Sequence, residues 1–287
     1  GFEYPDYIFN NIASETARGF SQVLGAYSDV SIYRLSSVTH EPLVFSKYLL
    51  IGVPILLFAI KSKQYYFSQI LDTSLLIFVC FLIVAATSST GVVGMVFSFV
   101  ICQYFSAKYI KRKNTFFTLL SIIVLIISLI GLLFLFVPTF SGYLDLVLIN
   151  KLSSGSGIER VASVVNSLEY IWANPSFGLG WNMMTINDLV INLIVNSGFL
   201  GLLSFIFMVV YLLKKSMFRN GSYQVTADSL GDSMRLGISV AFLVHITLGL
   251  FTGVEFYLGY FYTLLGLVGA AGLVRVSPSL HNPHIVK

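Results

Sequence analysis

The feature that most limits what this chain can become is its succession of long apolar runs. "FFTLLSIIVLIISLIGLLFLFV", Phe116 to Val137, holds no charged residue. The hydrocarbon core of a bilayer takes roughly 20 residues of helix. Backbone polar groups at that depth must bond within their own segment, which favours a helix. The whole chain follows suit: 56% of its 287 residues are hydrophobic and 10% are charged. Water-soluble domains carry about 25% charge. The expected class is all-α, a polytopic transmembrane helix bundle.

Seven spans are expected, at Phe45–Ile60, Gln69–Ala86, Gly91–Ala107, Phe116–Val137, Asp188–Leu213, Leu236–Gly253 and Tyr257–Val274. With strict alternation, one side receives Lys61, Lys63, Lys108, Lys111, Arg112, Lys113, Lys214, Lys215, Arg219, Arg235, Arg275 and Lys287. The other side receives Arg18, Arg34, Lys151 and Arg160 among acids that include Glu3, Glu41, Asp145 and Glu159. The positive-inside rule makes the first side cytoplasmic. One membrane domain results. Residues 1–42 form an outer segment, 43–137 hold spans one to four, and 138–187 form an outer loop. Residues 188–275 hold spans five to seven, and 276–287 form a cytoplasmic tail. The inner loop from Lys214 to Arg235 reads as a flexible connector. The polar, aromatic start "GFEYPDYIFN" lacks the basic-then-apolar pattern of a signal peptide, so the chain is expected to begin partway through a longer protein.

Cys80 and Cys102 both lie in apolar runs. They read as small core residues, with no disulfide and no metal site expected. The basic clusters are short and close to spans, so no nucleic-acid partner is expected.

The outer loop carries the most informative polar stretch, "GIERVASVVNSLEYIWANPSFGLGWN" from Gly157 to Asn182. Ser156 and Glu159 have capping-box spacing. Ile158, Val161, Val164, Val165, Leu168, Ile171 and Trp172 form one helical stripe. Asn174-Pro175 ends it, because the residue before proline is pushed away from helical angles. An amphipathic helix is expected on the outer surface, its apolar face toward lipid or toward the bundle. Glu159 has a capping job. Arg160 lies at the edge of the stripe, where it either reaches lipid phosphates or clamps an anion through its planar fork. Gly178 and Gly180 permit a tight turn. Asp188 stands where a helix cap would stand, and Gly198 and Gly201 suit close helix packing.

Arg160, Trp172, Asn174-Pro175, Phe177-Gly-Leu-Gly180, Asn187-Asp188 and Gly198-Phe-Leu-Gly201 occur in that order. This order resembles the bacterial O-antigen polymerase and O-antigen ligase superfamily. Two more stretches are similar to it: "YRLSSVTHEPLVFSKYLL" at Tyr33–Leu50, and the Ser-rich "AATSSTGVVGMVFSF" at Ala85–Phe99. Two departures weigh against the ligases. Their His-Asn pair is replaced here by Asn187-Asp188, and Thr90 stands where an Arg commonly follows the serines.

The resemblance implies a polymerase in the bacterial cytoplasmic membrane, working at the outer face without cofactor or metal. Its partners would be an undecaprenyl-pyrophosphate-linked oligosaccharide, the lipid bilayer and a chain-length regulator. Such chemistry needs cations on the leaving pyrophosphate and a base for the acceptor hydroxyl. Arg34 and Arg160 are the pyrophosphate candidates. Glu41 and Asp188 are the candidate bases, each just before a span. His40, Asn187 and Glu255 are secondary candidates. So is His245, an ionisable residue inside a span, which is equally a neutral ring bonded to a neighbouring helix. The outer Tyr and Trp residues suit sugar stacking and interface anchoring alike. An O-antigen ligase is the nearest alternative. A flippase or transporter for lipid-linked oligosaccharide is the alternative from another class; it would show broken helices and an internal repeat.

Overall fold

The computed structural model describes residues 21–27, 30–35, 42–86, 88–109, 155–181, 183–219, 223–224, 229–252 and 259–273. The helices there are α1 (Pro42–Ser62), α2 (Gln69–Ala85), α3 (Ser89–Tyr109), α4 (Gly155–Ala173), α5 (Leu189–Met217), α6 (Leu230–Thr252) and α7 (Gly259–Leu273). Of these, α1, α3, α5 and α6 are long and apolar enough to cross a membrane, and α2 and α7 are shorter apolar helices. The expected span Phe116–Val137 lies outside the described residues. Six of the seven expected spans thus correspond to apolar helices.

Two small antiparallel ribbons accompany the helices: β1 (Ser21–Tyr27) with β2 (Val30–Leu35), and β3 (Phe218–Arg219) with β4 (Tyr223–Gln224). Neither is in the sequence expectation. The second interrupts the stretch expected to be a plain connector. A sequence signal was present, since the three residues between the strands, Asn220-Gly221-Ser222, include a glycine as short hairpin loops do.

The helices pack because their apolar faces share three clusters. α1 and α6 form the most buried pair, with α2 and α3 on α1 and with α5 and α7 on α6. Gly237 makes that central pair possible. A Cβ there would lie 2.6 Å from the Ile55 Cα, so the two backbones meet beside Pro54. Leu50, Phe58, Ile83, Cys102, Leu236 and Val244 fill one cluster. Leu189, Leu193, Phe242, Tyr260 and Leu264 fill a second.

The described helix ends gather at two ends of the bundle. At one end, Lys61 donates to Gln103, and Ser233 Oγ donates to Ser62 Oγ at 2.7 Å. Arg235 donates to the Ser216 and Lys215 carbonyls there. Sequence analysis puts Arg235 in the loop ahead of its span; α6 instead begins at Leu230 and buries it. The guanidinium is tolerated because it satisfies carbonyls left open at the C-terminus of α5. At the opposite end, Gly91 of α3 lies against Ser46 of α1, and Gly259 of α7 lies near the Tyr48 hydroxyl.

Large apolar side chains face outward on most helices: Ile77, Phe78 and Phe81 on α2, Val96 and Val100 on α3, and Leu203, Phe207 and Val210 on α5. Water-soluble chains seldom expose so much contiguous apolar surface. These faces fit a membrane protein.

Candidate functional site

The polar stretch singled out in the sequence builds a compact unit around a break in α5. Gly198 has φ 69° and ψ −176°, outside the helical region, so α5 is two helices meeting at that residue. Gly178 and Gly180 also have positive φ, at 68° and 122°. The glycines let two backbones interlock. Leu179 N donates to the Val195 carbonyl at 2.8 Å and Gly180 N to the Asn196 carbonyl at 3.0 Å. On the far side of the break, Phe199 N donates to the Pro175 carbonyl at 2.8 Å and Leu200 N to the Ser176 carbonyl at 3.4 Å. A broken helix exposes orphan carbonyls and N–H groups; here the Pro175–Gly180 turn occupies them. Packing between helices is therefore not what Gly198 and Gly201 provide. Gly198 accommodates the Ser176 carbonyl, and a Cβ at Gly201 would strike the Ser197 hydroxyl.

Asn196 locks the unit. Its Nδ2 donates to the Met184 carbonyl at 2.8 Å, the Asn192 carbonyl at 3.0 Å and Asn192 Oδ1 at 3.1 Å. Its Oδ1 accepts from Met184 N at 2.9 Å. Asn192 in turn donates to the Ile186 carbonyl at 3.1 Å. Both amides are buried. Replacing Asn196 with leucine should strand the Met184 N–H and C=O and destabilise the protein by ~2–4 kcal/mol. A thermal melt of the purified protein in detergent checks this, and an unchanged midpoint would contradict the role given to the side chain.

α4 lies against this unit. Val164, Ser167 and Ile171 form one face; Ile171 joins Ile186, Ile194 and Val195 in the third cluster, with Val164 packed against them. Val161, Val165, Leu168 and Trp172 form the adjacent face and are exposed. The expected single stripe is thus two, one for the bundle and one outside it. Arg160 is in the first two turns of α4, four residues before Val164. The helix begins at Gly155, which puts Ser156 inside its first turn, not ahead of it as the capping-box reading requires.

Asp188 sits at the start of α5, where its Oδ1 accepts from Ile191 N at 2.9 Å. It caps the helix, as such residues do. Asn187 beside it is partly buried. Arg34 is on β2, opposite Gln22 in the ribbon. His40, Glu41 and Glu255 lie outside the described residues.

A second polar layer occupies the Ser46 end of α1, α3, α6 and α7, and it contains a cation that the loop-by-loop charge tally passes over. Lys47, six residues into α1, is buried, 2% exposed. Its Nζ lies 5.9 Å from the centroid of the Tyr260 ring. The ring of His245 lies 5.9 Å from the same ring. His245 is buried, with Nδ1 2.7 Å from the Ala241 carbonyl oxygen and Nε2 2.8 Å from the Lys47 carbonyl oxygen. Ser46, Ser88 and Thr90 are buried too. The sequence signal for Lys47 was available: a charge within an apolar run marks a functional suspect.

The structure thus brings together several of the stretches singled out in the sequence. Ser46 of the Tyr33–Leu50 stretch meets Gly91 of the Ser-rich stretch. The Asn174–Gly180 and Gly198–Gly201 stretches interlock. The first half of α5 links the two layers, since Leu189 and Leu193 share the cluster that holds Tyr260. Among the described residues, no group of His, Cys, Asp or Glu is arranged to hold a metal ion. Set against models of known protein families, curated proteins and solved structures, the chain matches none of them.

Proposed function

We propose that this chain is the membrane domain of a glycosyltransferase. It would polymerise undecaprenyl-pyrophosphate-linked repeat units into O-antigen, capsule or exopolysaccharide at the outer face of a bacterial cytoplasmic membrane. The observation that carries the reading is the interlocked pair of glycine motifs, Asn174–Gly180 on Gly198–Gly201, with Val164 and Ile171 of α4 packed beside them. Motifs that resemble one superfamily, and that lie some twenty residues apart in sequence, form one unit around the break at Gly198, in the half of α5 that Asp188 caps. In this reading seven spans cross the bilayer and the interlocked unit lies on the outer side. Arg160 and Arg34 stabilise the departing pyrophosphate. Asp188 or Glu41 accepts the proton of the attacking hydroxyl.

Asp188 offers a clean test, because amide and carboxylate cap a helix about equally well. Asp188→Asn should therefore fold and insert normally yet lose full-length polymer when it replaces the native gene. Glycan extracts on a gel decide this. Normal ladders from a normally expressed variant would remove Asp188 as the base and leave the role to Glu41.

One observation favours a second reading. A helix interrupted in mid-span is a device of transporters, whose free half-helix ends bind substrate or ion. In α5, however, the turn at Pro175–Gly180 already bonds Val195 O, Asn196 O, Phe199 N and Leu200 N. The break is spent on holding a loop, which weighs toward the enzyme.

A further inference from the structure

We propose that the exposed apolar face of α4, with the Pro175–Gly180 turn, is a bilayer anchor that inserts among lipid acyl chains at the end of α5 away from Lys214. This does not depend on the glycosyl-transfer reading. Val161, Val165, Leu168 and Trp172 recur every three or four residues and make one stripe of α4. All four are exposed, Trp172 at 80%. The helix holds the bundle with a different side, through Val164 and Ile171. Asn166 and Glu169, also exposed, lie off the apolar stripe. α4 therefore has a face for the bundle, a polar face and a third, apolar face that neither explains. A helix lying in the plane of a membrane interface buries such a face in the leaflet.

Continuity with the surface of α5 identifies lipid as the occupant. Trp172, in the last turn of α4, leads into the Pro175–Gly180 turn, where Phe177 is 77% exposed. That turn is bonded to Phe199 N and Leu200 N through the Pro175 and Ser176 carbonyls. Phe199 and Leu200 are exposed too, and they open the second half of α5, whose outward face continues through Leu203, Phe207 and Val210. α5 is long and apolar enough to cross a membrane, and its outward face would then meet acyl chains. The patch on α4 and the turn is the far end of that same surface. A water-soluble partner could not follow it down α5 into hydrocarbon.

Depth agrees with continuity. From Lys214 back to Gly198, α5 rises about 24 Å at 1.5 Å per residue. The hydrocarbon core is roughly 30 Å thick, and basic residues mark its cytoplasmic boundary. The break and its docked turn thus fall just inside the opposite boundary. Tryptophan is favoured at that level, and both tryptophans of the chain, Trp172 and Trp181, are exposed there.

The test is tryptophan fluorescence of the chain in vesicles of phosphatidylcholine and phosphatidylglycerol. Trp181→Phe leaves Trp172 as the sole emitter. Lipids brominated near the top of the acyl chain should lower its emission about twofold, and lipids brominated near the chain end should lower it less, as for a face buried roughly 5–10 Å into the headgroup boundary. The unaltered chain, with both tryptophans on this surface, should show the same order. Emission unchanged by either brominated lipid would overturn the proposal, whether aqueous iodide then reaches the ring or a second copy shields it. Stronger quenching from the chain end would overturn it as well, since the ring would then lie deep in the hydrocarbon.

Discussion

Replacing Gly198 with valine should abolish the folded protein at ordinary growth temperatures. Two independent costs meet at this residue. Its φ of 69° is a conformation that β-branched side chains scarcely adopt. A Cβ there would lie 2.1 Å from the Ser176 carbonyl oxygen and 2.5 Å from Phe177 N, well inside contact distance and against backbone that cannot rotate away. Strain of this kind costs ~1–3 kcal/mol, and overpacking adds about as much again. Relieving the clash means undocking the Pro175–Gly180 turn, which gives up four backbone hydrogen bonds across the break. Since folded chains hold only ~5–15 kcal/mol in reserve, the variant should not survive extraction. Fluorescence-detected size exclusion of a tagged protein reads the result. Gly266→Ala is the control, because a Cβ there meets nothing within 4 Å. A monodisperse Gly198→Val protein would show that the break in α5 is not built as described.

The largest functional effect should come from Arg160. Arg160→Ala should leave the protein folded, because α4 is anchored through Ile171 and Val164. It should nevertheless remove polymer longer than a single repeat unit. Losing one charge-assisted contact to a developing pyrophosphate should slow transfer ~10²–10³-fold, by analogy with the removal of one oxyanion donor. Arg160→Lys keeps the charge but not the bidentate fork, so it should fall nearer to alanine than to the native residue. Arg34→Ala should behave similarly. Should both alanine variants express normally and still build full-length chains, the pyrophosphate-clamp assignment fails.

How much of this was legible in the sequence depends on the kind of signal. Apolar runs gave the helices: five of the six described expected spans start within three residues of the observed helix, and α6 starts six residues early, at Leu230. A charge tally by loops passed over Lys47, because it counts cations between spans and Lys47 is inside one. It also put Arg235 in a loop, because an arginine reads as a boundary until its carbonyl partners at Lys215 and Ser216 are seen. The break at Gly198 was illegible for a different reason. Apolar residues continue on both sides of it, and a small residue in an apolar helix ordinarily signals packing. Only the docked turn, brought in by glycines twenty residues upstream, shows that Gly198 serves a positive φ. The amphipathic stripe of α4 was visible, but its division into a bundle face and an exposed face needed Ile186 and Ile194 in place.

The most direct measurement is a reconstitution. Purified full-length protein in proteoliposomes would receive undecaprenyl-pyrophosphate-linked repeat units as its sole substrate, and the products would be separated by size. Polymerisation predicts a ladder of lengthening glycans, with one undecaprenyl pyrophosphate released for each linkage, and no ladder with Arg160→Ala. Movement of the intact lipid-linked unit between leaflets, with no ladder and no released pyrophosphate carrier, would contradict the account and establish a transporter.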